Sequence, residues 1–264
     1  MTVLLKRLLL PAIALLGSAY VSRADVPNGL VSFSVDTNSP VYDLTGSLQF
    51  DGTITGSGST NQLLYGINVI QDSRGRITGS GTTQVLVGND FVAAEYTVQG
   101  RISASHGSTR VTLVVRLKGE DAFGGVSTPF SINIEYKLTI NPDSGTMDGS
   151  ARGSAKFGQL GSGKIRSDIS VPLPAGTDGS WTLQMNIVTF SRLGGSAIIV
   201  LSNGRTLTLN LNGRYSSSLD ESTVKMSGTG DSRGNNVTVT FVTSPENSEL
   251  LTLRGTVLGQ TVKQ

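Results

Sequence analysis

Residues 130–140 read FSINIEYKLTI. Phe130, Ile132, Ile134, Tyr136, Leu138 and Ile140 alternate with Ser131, Asn133, Glu135, Lys137 and Thr139. Successive side chains of an extended chain point to opposite faces, so this stretch has one apolar and one polar face. The same period runs through Val111, Leu113, Val115 and Leu117, and through Val92, Ala94, Tyr96, Val98 and Ile102. It recurs in Trp181, Leu183, Met185 and Ile187 and in Leu207, Leu209, Leu211 and Tyr215. One-sided patterning of this kind predicts antiparallel sheet.

The segments between these runs carry turn chemistry. Asn203 and Gly204 suit a type I′ hairpin turn, in which both central residues have positive φ. Asp72-Ser73-Arg74-Gly75 and Asp231-Ser232-Arg233-Gly234 place Asp first and Gly last, as a type I turn prefers, and Pro142-Asp143-Ser144-Gly145 forms another turn. The expected fold is therefore all-β: a large antiparallel meander of about 12 to 16 strands forming a curved sheet, barrel or sandwich. No helix of ten or more residues is expected beyond the N-terminus. Glycines recur in Gly52–Gly56, Gly75–Gly79 and Gly149–Gly153, where bulges, bends or close backbone approach are expected. Residues 84–117 superpose on 197–230 at an offset of 113, which raises the option of two similar β lobes, 25–158 and 159–264, joined at the FGQLGSGK stretch of 157–164.

The N-terminus reads differently. Lys6 and Arg7 precede the apolar run LLLPAIALLGSAYV of residues 8–21, and Ser22 and Ala24 place small residues at −3 and −1 of a cut before Asp25. These are the parts of a secretory signal peptide, so residues 1–24 are expected to be removed after Ala24 and 25–264 to form the exported all-β domain. Removal takes away Lys6, Arg7 and Arg23, leaving 18 basic against 19 acidic residues and a net charge of −1 in place of +2. No basic patch for nucleic acid is apparent. The chain has no cysteine, which excludes disulfides and a lipid anchored on an N-terminal cysteine.

Catalytic residue types are few. The single histidine, His106, stands in Ser105-His106-Gly107-Ser108, a loop context with no acidic residue nearby in sequence. Gly230-Asp231-Ser232-Arg233-Gly234 matches the G-x-S-x-G pattern of hydrolases, but Val237, Val239 and Phe241 make it the opening of a strand, and no histidine follows it. Gly158 to Lys164 imitates a phosphate loop with Ile165 where Ser or Thr should hold magnesium. Asn141, Asp143 and Asp148 are the least poor calcium ligands, and turn formation explains them better. Glu120, Asp121 and Glu135 are the carboxylates that a glycan-active site would draw on, if strand pairing brought them together.

No catalytic, cofactor or metal residues are therefore assigned. Apolar residues at alternate positions fit a water-soluble protein with an inward oily face, or an outer-membrane barrel with that face toward lipid. The exported chain has only 14 aromatic residues and ends GQTVKQ, without a terminal aromatic, which favours the first. The expected role is a non-enzymatic structural or binding module of the cell envelope or extracellular space. Lipid or another envelope component is the partner to look for, with an amphiphile on the apolar face, no nucleic acid, and no transmembrane helix in the mature chain.

Overall fold

The computed structural model describes residues 29–264 apart from 36–38, 57–58, 106, 124–125, 190–191, 218–221, 231–233 and 244–247. Residues 1–24, read above as a signal peptide, lie outside the described residues. Sixteen antiparallel strands form two sheets, and the longest helix among the described residues is a three-residue 3-10 turn, Gly158–Leu160. The all-β antiparallel fold is as the alternation predicts.

Eight strands close into a barrel: β2 (Gly46–Gly56), β3 (Ser59–Gln71), β4 (Arg76–Val87), β5 (Asp90–Ser105), β6 (Ser108–Phe123), β7 (Val126–Asn141), β8 (Thr146–Phe157) and β9 (Ser162–Pro172). Each pairs with the next, and β9 returns to β2 through Ile54↔Ile165 and Thr55↔Lys164. The hydroxyl of Ser167 extends this short closure by accepting from Thr53 N at 3.3 Å. An open, curled sheet holds the rest: β1 (Gly29–Ser34), β10 (Trp181–Thr189), β11 (Leu193–Leu201), β12 (Thr206–Ser217), β13 (Ser222–Gly230), β14 (Asn236–Thr243), β15 (Ser248–Val257) and β16 (Gln260–Lys263). The Phe130–Ile140 stretch lies within β7, and its six apolar residues all point into the barrel, where each is at most 6% exposed.

The passage between sheets runs through residues 173–180, whereas the Gly158–Leu160 turn, exposed at Gly158 and Gln159, joins β8 to β9, two strands of the same barrel. The first strand belongs with the later sheet, since β1 pairs with β10. The 113-residue offset is matched by one hairpin: Ile102↔Val111 of β5–β6 corresponds to Tyr215↔Val224 of β12–β13 in the same register.

Turns follow local chemistry with one correction. Gly75 N donates to Asp72 O at 3.0 Å and Gly75 has φ 73, a type I turn followed by a left-handed glycine. The Asn203-Gly204 connection has the same form: Gly204 N donates to Leu201 O at 2.9 Å with φ 83, while Asn203 does not have positive φ. It is therefore not the type I′ turn that the Asn-Gly pair suggests. The two-residue connection between β15 and β16 has positive φ at both positions, Leu258 (φ 50) and Gly259 (φ 78). Among glycines within strands, Gly149 and Gly153 of β8 lie where a Cβ would sit 2.0 Å from Lys137 O and 2.1 Å from Asn133 O, so β7 and β8 approach too closely there for a side chain.

Candidate functional site

The barrel interior is filled by its own side chains. Eight strands enclose a space just wide enough for side chains to fill. Here Phe50 packs against Tyr65 and Tyr136, with ring centroids 5.3 and 4.5 Å apart. The two phenol hydroxyls hydrogen-bond each other at 2.5 Å. Leu113, Val115, Leu117, Ile134 and Ile77 around them are fully buried. Burial pushes both phenols above their ordinary pKa.

The end of the barrel facing the second sheet is closed by the segment that joins β1 to β2. Val41, Tyr42, Asp43 and Leu44 are all buried. A buried irregular segment needs partners for its backbone polar groups, and two glutamines supply them. Gln71 Oε1 accepts from Leu44 N at 2.9 Å and Gln260 Oε1 from Tyr42 N at 3.0 Å. Their amide groups both donate to Tyr42 O, at 3.2 and 2.8 Å. Gln71 also donates to Leu258 O at 3.2 Å, and Asn235 Oδ1 accepts from Leu258 N at 2.9 Å. One glutamine comes from each sheet, so this network ties the barrel to its neighbour.

Asp43 is the charged member of that seam. Its Oδ2 accepts from Arg205 Nη1 at 2.9 Å and from Asn203 Nδ2 at 3.1 Å; its Oδ1 accepts from Thr45 N at 3.1 Å and Thr45 Oγ1 at 2.7 Å. Burial pushes its carboxyl up, but hydrogen bonds from Arg205, Thr45 and Asn203 outweigh that and hold it below the ordinary carboxylate value. Every acceptor position is engaged, which marks Asp43 as a structural ion and not a free acid or base.

The candidate binding site lies on the outer barrel wall. Between Tyr65↔Val85 and Ile70↔Thr78 the β3–β4 ladder breaks, with β4 spending two residues more than β3 across the gap. A bulge re-aims side chains and opens a strand locally. Side chains staple it: Tyr96 Oη accepts from Asn68 N at 3.1 Å, and Thr83 Oγ1 donates to Gly66 O at 2.6 Å. The result is a groove of about 580 Å³ across β4, β5 and β6, lined by Ser80, Gly81, Thr82, Glu95, Tyr96, Thr97, Arg116 and Lys118. Register explains the lining, since Thr82, Glu95 and Lys118 stand in one cross-strand row and Ser80, Thr97 and Arg116 in the next. Two cations, one carboxylate and several hydroxyls fit it to hold a polar group by charge and hydrogen bonding.

Among the described residues, those singled out from the sequence do not assemble. His106 and Asp231-Ser232-Arg233 lie outside the described residues; β13 and β14 flank the latter, a strand-to-strand connection. Lys164 lies in β9, paired with Thr55 and Ser154, and not at a helix N-terminus. Asp148 spends its oxygens on Thr146, Ser170 and Asn141 hydroxyl and amide donors, while Asp143 N donates to Asn141 Oδ1, which is turn chemistry. Among the described residues no three His, Cys, Asp or Glu side chains group as a metal site. Glu135 lies opposite Val114, six residues along β6 from Glu120, roughly 20 Å at about 3.3 Å per residue. A glycosidase pair stands about 5 to 9.5 Å apart. Glu120 accepts from Ser127 Oγ, and Glu135 pairs with Lys137. The Asp121 side chain lies outside the described residues.

Sequence reasoning missed Asp43, Gln71, Arg205 and Gln260, whose burial depends on both sheets. For the groove a signal existed: Gly79-Ser80-Gly81-Thr82-Thr83 interrupts the alternation of β4. Among the described residues no helix is long and apolar enough to cross a membrane. Comparison with protein families, curated proteins and solved structures finds no match to this chain.

Proposed function

We propose that the chain is an exported, non-enzymatic β-protein of the cell envelope or its surroundings, working as a binding or structural module through its outer faces. The filled barrel interior carries this reading: an amphiphile entering it would have to displace Phe50, Tyr65 and Tyr136, so a ligand is left with the exterior. On the barrel, the groove over the β4 bulge offers such an exterior site, with cations, a carboxylate and hydroxyls in its lining.

The outer wall also weighs against a lipid-embedded barrel. A membrane barrel presents an apolar band about 25 Å tall. Here Arg110, Arg116 and Lys118 are exposed along β6, eight residue steps or roughly 27 Å along the strand, which at a tilt of about 40° covers about 20 Å of the barrel's height. Glu135, Arg152 and Arg166 continue the charged surface around the waist on β7, β8 and β9. Burying such a ring in hydrocarbon would cost about 2 to 4 kcal/mol per midplane Arg or Lys.

Fractionation of cells producing the full chain, with sequencing of the N-terminus, tests the proposal. The expected product begins at Asp25 and is released without detergent. Retention in the outer membrane as a heat-modifiable band, or an intact Met1 in the cytoplasm, would overturn it.

A further inference from the structure

The outer face of the open sheet carries a second groove, of about 760 Å³, lined by Arg192, Leu193, Asn212, Gly213, Arg214, Lys225 and Ser227. Arg214 lies directly opposite Lys225 in the β12–β13 ladder. The β11–β12 ladder pairs Leu193 with Gly213, so Arg192 comes next to Arg214 on the other side. Three cations thus stand in one row across neighbouring strands. Strands lie about 4.8 Å apart, so the row spans roughly 10 Å.

Like charges directly opposite each other in a sheet are destabilising. The arrangement has no compensating partner among the described residues: the three ion pairs there are Arg76–Asp72, Lys137–Glu135 and Arg205–Asp43. The three cations are exposed, and their row is continued by a half-buried Thr240 and by Thr252. Beside it runs a second row, Asn212, Ser227, Thr238 and Arg254, in which the hydroxyls of Ser227 and Thr238 lie 3.1 Å apart. A fourth cation and a ladder of hydroxyl and amide groups therefore flank the first three.

We infer that this face binds an extended acidic polysaccharide, its carboxylate or sulfate groups neutralising the Arg192–Arg214–Lys225 row and its sugar hydroxyls meeting Asn212, Ser227 and Thr238. The repeat of positive charge at strand spacing suits an anion repeated along a polymer. The amide and hydroxyl ladder suits the uncharged part of a sugar, whereas a single-stranded nucleic acid calls for aromatic platforms under its bases; duplex DNA is separated by the binding test below. The inference names a partner class for the exported module proposed above and uses a different face from the β4 groove.

The test measures binding of the purified full chain to heparin (sulfated), polygalacturonate (carboxylated), neutral dextran and duplex DNA. One of the two acidic polysaccharides is expected to bind, more weakly as salt is added, and to raise the melting temperature. The double variant R214Q/K225Q is expected to lose at least tenfold in affinity while melting no lower than the parent, because a repulsion is removed. A second like-charge pair, Arg152 opposite Arg166 on β8–β9, is the control: R152Q/R166Q is expected to leave binding unchanged. Failure of both polymers to bind, equal loss in the two double variants, or equal affinity for DNA would overturn the inference. Each of these results leaves the fractionation outcome, and so the proposal of export, untouched.

Discussion

Val41 and Tyr42 are consecutive in the chain, yet Val41 packs in the core of the open sheet and Tyr42 in the core of the barrel. Alternation makes this possible, because an extended segment sends neighbouring side chains to opposite sides. The segment linking β1 to β2 is thereby a shared wall of two cores and not a spacer. Its backbone is held by Gln71 from one sheet and Gln260 from the other, both fully buried. Relative movement of the two units would break these bonds inside an apolar surround, where an unpaired polar group costs about 1 to 3 kcal/mol.

This shared wall predicts coupled unfolding. Tyr42→Ala removes a ring that is 2% exposed from the barrel core, and by analogy with other aromatic truncations should cost about 3 to 5 kcal/mol. The only tryptophan, Trp181, is buried in the other sheet, with Nε1 donating to Ser39 O at 2.8 Å. Its fluorescence transition in denaturant should shift together with the far-ultraviolet circular dichroism signal. A Trp181 midpoint left unmoved by Tyr42→Ala would show that the units unfold independently.

The β3–β4 and β15–β16 hairpin tips meet beside that wall, and glycine decides how closely. A Cβ on Gly75 would lie 2.8 Å from Leu258 O and 2.8 Å from Ile102 O, while one on Gly259 would lie 2.5 Å from Arg74 O. Gly75→Ala should therefore cost clearly more than the left-handed backbone penalty of about 1 to 2 kcal/mol. Gly145 supplies the comparison, since its φ of 66 is close to the 73 of Gly75 but nothing lies within 4 Å of its Cβ position. Thermal or chemical denaturation should rank Gly75→Ala well below Gly145→Ala. Equal losses would mean that the contact between tips contributes nothing.

How far the sequence reaches is visible in these same residues. The strands were legible because alternation is local: Phe130 to Ile140 needs no knowledge of its neighbours to declare two faces. The Asp72–Gly75 turn was legible for the same reason. Closure was not, because the barrel depends on Ile54 meeting Ile165 and the open sheet on Gly29 meeting Ile187, pairs separated by more than a hundred residues. Gln71, Gln260 and Asp43 read as ordinary polar residues near strand ends. Their burial is produced only when two sheets enclose the Val41–Leu44 segment. The Asn203-Gly204 pair shows the opposite error: a strong two-residue signal gave way to a turn one residue longer, which lets Asn203 and Arg205 both reach Asp43.

Asp43 carries a pH prediction. Its carboxyl sits below the ordinary value in the folded chain, so the stability it contributes is present above the unfolded carboxylate pKa, about 3.9, and is lost as pH falls through the lower folded value. Asp43→Asn should be less stable than the parent at pH 7 and should lose less stability between pH 5 and pH 2.5. Arg205→Gln leaves the carboxylate with Thr45 and Asn203 alone. Because the arginine side chain is 34% exposed, the loss should be about 1 to 3 kcal/mol, below the full cost of breaking a buried pair. Denaturant midpoints measured across that pH range check both; parallel pH curves for parent and Asp43→Asn would refute the assignment.

The paired hydroxyls of Tyr65 and Tyr136 allow the barrel interior to be tested as a dry, filled core. Either Tyr→Phe change leaves the remaining hydroxyl buried without its partner, which should cost about 1 to 3 kcal/mol, whereas removing both hydroxyls leaves two apolar rings of nearly the same shape. The double variant Y65F/Y136F should therefore be more stable than the sum of the single losses, giving a coupling of about 1 kcal/mol or more. Both phenols are raised by burial, so folded stability from this pair is present below pH 10 and lost as pH rises beyond it. In an ultraviolet titration the parent should hold Tyr65 and Tyr136 un-ionised until it unfolds. Additive single losses, or ionisation of Tyr65 and Tyr136 near pH 10 in the folded chain, would mean that water reaches the barrel interior and that a ligand has room there after all.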